Sequence, residues 1–196
     1  MDRGGGPAAR LDRDRSLLLV VDIQARLVPH VLDHAALIAR AEALIVAAGH
    51  FGIPAFLTEH CAEQIGPVVA TLRVRFAGER IFAKTRFGAV DHPAFAAMLS
   101  ATGRRQIVLA GMETHVCVMQ TGLGLANAGY EVFVVGDAVG SRAARQADRH
   151  FALERMRSAG CTIVGTETTL FEWARAGDDS AFRAMLALVK ALDTQS

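Results

Sequence analysis

Short apolar runs, each rich in Val, Ile or Leu, recur along this chain and constrain its fold more than any other feature. They are LLLVV (17–21), PAFLT (54–58), RQIVLAG (105–111), EVFVVG (131–136) and CTIVG (161–165), with ERIFA (79–83) as a weaker sixth. Because they are apolar without polar alternation, such runs are typical of strands buried on both faces, as in a parallel sheet. We therefore expect one sheet that is covered by helices on both faces.

Stretches with helical periodicity separate these runs. In the first, residues 35–52, apolar side chains recur every three or four positions on one stripe, and glycine follows it. Similar stretches cover residues 91–103, 115–129, 142–160, 167–176 and 179–192. The alternation of strand and helix predicts right-handed crossovers and an α/β fold, a three-layer α/β/α domain with a mainly parallel, Rossmann-like sheet.

The chain is expected to form one domain preceded by a tail. Residues 1–15 combine Gly4–Gly6 with alternating Arg and Asp, a pattern that offers little to bury and predicts a flexible segment. Residues 16–196 contain no linker-like stretch that would divide them. A hydrophobic content of 52% is enough for one compact core.

Charge and composition exclude several functional classes. The net charge of +1 and the aromatic content of 6% give no basic surface or stacking platform for nucleic acid, and no attraction to anionic membranes. The first residues contain no apolar run typical of a secretory signal, and 17–21 is too short to span a bilayer. Three widely spaced cysteines without a C-x-x-C pair favour a reducing, cytoplasmic location.

Three chemically capable side chains follow strands, at the edge where open α/β sheets bind ligands. Asp22 follows the first strand, Lys84 follows the weak strand, and Cys117 lies where the next helix begins. Each has a plain structural alternative: a turn cap, a solvated charge and a small buried apolar residue, respectively. Together they predict a reactive thiol, since a helix start and a nearby cation both lower a thiol pKa.

Other kinds of site have weaker support. Residues 122–124, GLG, lie inside a predicted helix, so they are not a dinucleotide-binding loop, and no G-x-S-x-G serine elbow occurs. The histidines are dispersed; His30 and His34 are four apart, but His30 precedes the predicted helix. We therefore expect neither a metal nor an organic cofactor.

Four ordered motifs resemble the isochorismatase-like cysteine hydrolase family. They are VVDIQARL (20–27), TEHCAEQIGPVV (58–69), FAKTRFGA (82–89) and GMETHVCVMQTGLGLANAGYEVFVVGDAVGSR (111–142). The similarity extends over residues 17–175, and the group of isochorismatase domain-containing proteins is the most similar.

This resemblance implies a catalytic triad. Cys117 would attack an amide-like carbonyl, Asp22 would accept its proton and pass it to the leaving amine, and Lys84 would hold Asp22 and stabilise the thiolate. It also implies a cis peptide bond between Met112 and Glu113, with the N–H groups of Glu113 and Cys117 as the oxyanion hole.

The resemblance extends to the surroundings of the triad. Gln24, Glu59, Phe87 and Val116 are expected to line a substrate pocket. The metal-binding Asp-x-His cluster of family nicotinamidases is replaced by Thr58-Glu59-His60-Cys61, without a second histidine nearby, so no metal is expected.

The sequence as a whole predicts a cysteine hydrolase that cleaves a C–N bond of a small molecule through a thioester. A noncatalytic ligand-binding or scaffold protein and a redox-sensing thiol protein are the alternatives. A homo-oligomer, a dimer or an assembly of dimers, is also expected. The apolar stripe of Phe182, Met185, Leu186, Val189 and Leu192 fits either a core helix or a subunit interface.

Overall fold

A computed structural model describes residues 10–76, 78–177 and 180–193, and its strands form a six-stranded sheet. Every strand pairs in parallel with its neighbours, in the order β3-β2-β1-β4-β5-β6. The strands are β1 (Ser16–Val21), β2 (Ala55–His60), β3 (Ile81–Lys84), β4 (Gln106–Met112), β5 (Glu131–Gly140) and β6 (Thr162–Val164). The predicted parallel sheet is confirmed, including the weak third strand.

Helices cover both faces of the sheet. They are α1 (His34–His50), α2 (Ala62–Ile65), α3 (Ala70–Arg73), α4 (Pro93–Ala101), α5 (Met119–Asn127), α6 (Gln146–Ser158), α7 (Thr166–Ala174) and α8 (Ser180–Asp193). A π-helical turn over Thr114–Val118 leads into α5. The short helices α2 and α3 were not predicted, because four residues are too few to show a 3.6-residue period.

The central strand β1 is buried on both faces, which explains its unbroken apolar run. Leu18 and Val20 pack on one side with α1, α7 and α8, while Leu17 and Leu19 pack on the other with α4, α5 and α6. Successive side chains of a strand point to opposite faces, so one short run serves two cores. The three-layer α/β/α architecture is thereby confirmed.

The end of the chain contributes to the core rather than standing apart from it. Met185 and Val189 of α8 are buried in the cluster that covers the α1 side of the sheet, and Phe182 packs against that cluster. The ring of Phe182 also lies 6.0 Å from that of Phe171 in α7. The apolar stripe of α8 therefore covers its own sheet.

Residues 10–15 differ from the expected flexible tail, whose first nine residues lie outside the described ones. Leu11 is only 2% exposed, and its N–H donates to the carboxylate of Glu172. Gln106 accepts a hydrogen bond from the Asp12 N–H at 2.8 Å. The segment packs on the domain because its single leucine reaches the core, a contact that its charged and glycine-rich composition conceals.

A search of the described helices finds none with the length and apolar character needed to cross a membrane.

Candidate active site

The carboxyl edge of the sheet brings Asp22, Lys84 and Cys117 together. Asp22 directly follows β1, Lys84 is the last residue of β3, and Cys117 lies in the turn after β4. Because β2 alone separates β3 from β1, and β4 pairs with β1 on its other side, these three strand ends are close in space. All three residues are buried.

Asp22 and Lys84 form a buried ion pair. Lys84 Nζ lies 2.6 Å from Asp22 Oδ2 and also donates to the backbone oxygen of Phe87 at 3.1 Å. The other carboxylate oxygen, Asp22 Oδ1, accepts a hydrogen bond from the Thr58 hydroxyl at 2.7 Å. Both oxygens of Asp22 thus have a partner, and the two opposite charges compensate each other inside the protein.

A close approach of two strands positions the turn that carries Cys117. Gly111 in β4 has a φ of 125°, and a Cβ atom there would lie 2.1 Å from the backbone oxygen of Val21. Only glycine permits this contact, which brings β4 against the residue preceding Asp22. One residue further along the chain, the peptide bond between Met112 and Glu113 is cis.

The turn itself is π-helical at its start. The N–H of Val118 donates to the backbone oxygen of Glu113, five residues earlier, at 3.2 Å. Such a wide turn is common at functional sites. It places the Cys117 thiol close enough to Asp22 and Lys84 for both side chains to influence its pKa.

The thiol of Cys117 is held in its neutral form. Burial raises its pKa well above the ordinary value of 9.0, and the negative charge of Asp22 raises it further, while the positive charge of Lys84 acts in the opposite direction. The expectation that Lys84 and the helix start would yield a low-pKa thiol is therefore wrong. Lys84 is largely compensated by Asp22 at 2.6 Å, and little solvent reaches the sulfur to stabilise a thiolate.

A cavity of about 260 Å³ opens onto the thiol. Phe87 and Val116 line it, as expected, together with residues that sequence reasoning did not single out as pocket residues: Leu27, His60, Ile65, Met112 and Arg142. Glu113 and Cys117, the residues assigned to the oxyanion hole, also line it, so their role remains a prediction compatible with their position.

Gln24 and Glu59 are not among the residues that line this cavity. The Gln24 amide donates to the backbone oxygen of His60 at 3.0 Å and accepts from the N–H of the same residue at 2.8 Å. Glu59 accepts from the Val68 N–H and forms an ion pair with Arg73. Both side chains hold the loops after β1 and β2 together instead of facing Cys117.

Strand alternation explains why His60, and not Glu59, reaches the cavity. Thr58 and His60 lie two residues apart in β2, so their side chains point to the same face, on which Asp22 lies. The His60 ring packs 5.0 Å from that of Phe87. Burial and the charge of Lys84 lower the pKa of His60 from 6.5, so its imidazole is neutral at neutral pH.

An ion pair between Glu113 and Arg142 closes the other side of the cavity. Arg142 Nε lies 2.8 Å from Glu113 Oε1, and the Arg142 backbone N–H donates to Oε2 at 3.2 Å. The pair connects the turn after β4 to the segment after β5. Arg142 belongs to the D-A-x-x-S-R motif, and the position of that motif at a strand end was a signal that could have identified it.

The residues around His60 do not fit a metal ion. Among the described residues, no group of three or more His, Cys, Asp or Glu side chains is placed to bind one. The neighbouring Thr58 hydroxyl is directed at Asp22, and the Glu59 carboxylate is occupied by Val68 and Arg73. The carboxylate that lines the cavity together with His60, that of Asp22, is already bound by Lys84 and Thr58.

The six-stranded parallel sheet, with buried polar groups and a cavity at its carboxyl edge, defines an α/β protein with a ligand site where such folds place it. The chain belongs to the isochorismatase family: residues 16–168 match the isochorismatase domain.

Relatives and solved structures extend this assignment. The chain is 33% identical over 175 residues to isochorismatase domain-containing protein 1 of Danio rerio, covering 89% of this chain but 61% of the relative. The structure of MAR1 ribonuclease from Caenorhabditis elegans has a TM-score of 0.85 at 33% identity, with 93% of each chain covered.

Two structures of YcaC proteins are similar over nearly the whole chain. That from Escherichia coli, an octameric hydrolase of unknown specificity, has a TM-score of 0.85 at 30% identity and covers 98% of this chain and 100% of that one. The structure from Pseudomonas aeruginosa, with hexane-2,5-diol and covalent acrylamide, has a TM-score of 0.86 at 29% identity. It covers 97% of this chain and 98% of that one.

Proposed function

We propose that this protein hydrolyses the C–N bond of a small amide, with Cys117 as nucleophile. The observation that carries the proposal is the contact of the Cys117 thiol with the Asp22–Lys84 pair at the base of a cavity. A nucleophile, a base and a group that holds the base are the parts that covalent catalysis requires. The covalent acrylamide in the Pseudomonas aeruginosa YcaC structure adds support from a similar protein.

The first half of the reaction forms a thioester. Cys117 Sγ attacks the carbonyl carbon while its proton passes to Asp22, and the oxygen gains a negative charge that the N–H groups of Glu113 and Cys117 stabilise. When the tetrahedral intermediate collapses, the C–N bond breaks and the amine leaves with the proton from Asp22. Because the thiol is neutral at rest, proton transfer to Asp22 must accompany the attack.

The second half releases the acid. A water molecule attacks the thioester carbon and gives a proton to Asp22, the C–S bond breaks, and the sulfur takes that proton back. Lys84 holds the carboxylate in place through both halves, and while Asp22 is protonated the positive charge of Lys84 balances the negative charge on the oxygen of the tetrahedral intermediate. The enzyme returns to its starting protonation state after one water has been consumed.

Three other functions have less support from the described residues. A ribonuclease, as the Caenorhabditis elegans neighbour is named, needs cations for phosphates, but the one arginine lining the cavity is paired with Glu113. A noncatalytic binder would not need a thiol, a base and a lysine in mutual contact. A redox sensor would need an accessible thiolate, whereas burial raises the pKa of Cys117.

We further propose a homo-oligomer in a reducing compartment such as the cytoplasm. The octameric Escherichia coli YcaC supports the first part, as do the exposed apolar side chains of Val74 and Phe151. The three cysteines, which are all free, support the second. Light scattering after gel filtration tests the assembly; a mass near 20.9 kDa at every concentration would reject it.

Mass spectrometry of the intact protein during turnover tests the proposed chemistry. Incubation with a panel of small primary amides should add an acyl group to wild-type protein, and hydroxylamine should remove it. Cys117→Ala should show neither adduct nor turnover, while the matched control Cys161→Ala, which removes another buried thiol, should keep both. An adduct on Cys161, or turnover by Cys117→Ala, would exclude Cys117 as the nucleophile.

A further inference from the structure

The ionisable side chains that line the Cys117 cavity are compensated or neutral. Asp22 is paired with Lys84 at 2.6 Å, and Glu113 with Arg142 at 2.8 Å. His60, whose pKa burial lowers, carries no charge at neutral pH. Among the described lining residues, these are the ionisable groups besides the thiol itself, so the cavity offers a ligand no uncompensated charge.

The rest of the cavity wall is apolar. Leu27, Ile65, Phe87, Met112 and Val116 surround the thiol. At about 260 Å³ the cavity lies below the range of about 300–1,000 Å³ in which drug-sized ligands bind. The space therefore suits a short aliphatic group attached to the reacting carbonyl.

A charged substrate would bind poorly in such a place. A carboxylate or an ammonium group loses hydrating water when it enters the cavity, and the cavity provides no counter-ion to compensate that loss. A neutral amide meets no such cost, because its polar part is the reacting group and its remaining surface is apolar. The Glu113–Arg142 pair is decisive, since without Glu113 the guanidinium would attract anions.

We infer that the substrate is a small, uncharged primary amide with a short aliphatic acyl group, and that the Glu113–Arg142 pair excludes anionic analogues. This inference rests on the proposed amidase function and narrows it to one substrate class. It also excludes isochorismate as a substrate, because isochorismate is a dicarboxylate.

Two pairs of amides of matched shape test the inference. In the first pair, butyramide has a methyl group where β-alaninamide has an ammonium group. In the second pair, succinamide has a neutral amide where succinamate has an ionised carboxylate. Hydrolysis is measured with wild-type protein, and binding with Cys117→Ala by calorimetry. We expect the neutral member of each pair to be preferred about tenfold or more in kcat/KM and in Kd.

A charge-removing variant tests the role of the pair. Glu113→Gln keeps the shape of the side chain but frees the charge of Arg142, so succinamate should gain about fivefold or more relative to succinamide. The matched control is Glu59→Gln, which removes the acidic partner of Arg73 outside the cavity. It should leave the ratio of the two amides unchanged.

The outcomes separate this inference from the proposed function. Neutral amides that bind Cys117→Ala but are not hydrolysed by wild-type protein would support the substrate class and reject the amidase. Hydrolysis of succinamate or β-alaninamide at the rate of its neutral partner would support the amidase and overturn the substrate class. No binding of either neutral amide, or no response of the ratio to Glu113→Gln, would also overturn it.

Discussion

The two ends of the sheet bury polar side chains in different ways. At the amino end, the Ser16 hydroxyl accepts from Trp173 Nε1 at 3.0 Å and donates to the Asp12 backbone oxygen at 2.7 Å. Ser16, Trp173 and the nearby Gln106 are fully buried and uncharged. At the carboxyl end, the buried Asp22 and Lys84 are charged and lie beside an open cavity.

The difference separates groups that hold the fold from groups to which we assign a role in the proposed reaction. At the amino end, hydrogen bonds to other protein atoms satisfy the buried side chains of Ser16, Trp173 and Gln106, and they fix the N-terminal segment to the domain. At the carboxyl end the thiol of Cys117 and the carboxylate of Asp22 remain available to a ligand. Variants at the amino end should therefore change stability alone, whereas variants at the carboxyl end should change turnover, stability or both.

The largest expected effect follows Asp22→Asn. Removal of the base should lower kcat about 10²–10⁴-fold. It should also lower the pKa of Cys117, because the charge of Asp22 raises it and that of Lys84 lowers it. Iodoacetamide at pH 8 to 9 should then modify Cys117 faster than in wild-type protein although turnover collapses; slower modification would contradict the described electrostatics.

Lys84→Met should have the next largest effect, on stability. The substitution leaves the Asp22 carboxylate buried without its counter-ion, which typically costs about 3–5 kcal/mol. Urea unfolding followed by circular dichroism measures this loss. The double variant Asp22→Asn/Lys84→Met removes both charges and should recover part of it; a double variant less stable than Lys84→Met would contradict the charge argument.

Ser16→Ala tests the amino end. It leaves Trp173 Nε1 buried without its acceptor, so the free energy of unfolding should fall by about 1–3 kcal/mol. Amide turnover of the folded protein should be unchanged, in contrast to the loss expected for Asp22→Asn. A loss of kcat with Ser16→Ala at temperatures where the protein is fully folded would break the distinction between the two ends.

The two buried thiols, one at each end, should produce the smallest effect. Burial raises the pKa of Cys161 to about 11 and that of Cys117 further. Because the native thiols have the higher pKa values, their contribution to stability is fully present below pH 9. As the pH rises above 9, the thiols of the unfolded chain ionise first, and this contribution is lost. Each thiol accounts for at most about 1.4 kcal/mol per pH unit.

Unfolding curves between pH 8 and 11 measure this loss. Cys117→Ala and Cys161→Ala should each show a shallower alkaline decline than wild-type protein. Equal slopes in all three proteins would contradict the raised pKa values.

Sequence reasoning located the strands and three site residues, because an unbroken apolar run marks a strand and the residue after it marks the carboxyl edge. Glu59, which the resemblance placed in the pocket, does not line the Cys117 cavity, and β2 continues beyond the apolar run PAFLT to His60. With two more residues in the strand, alternation puts Thr58 and His60 on the side of Asp22. The partners of Gln24 depend on loop packing, which no periodicity encodes.

The long separation of the site residues along the chain has a consequence for synthesis and folding. Lys84 follows Asp22 by 62 residues, and Cys117 is made later still. Contacts so distant in sequence form slowly, because a large loop must close before any of them is gained. Until β4 docks against β1, the Cys117 thiol lies apart from Asp22 and Lys84, so the proposed chemistry becomes possible only when the centre of the sheet is complete.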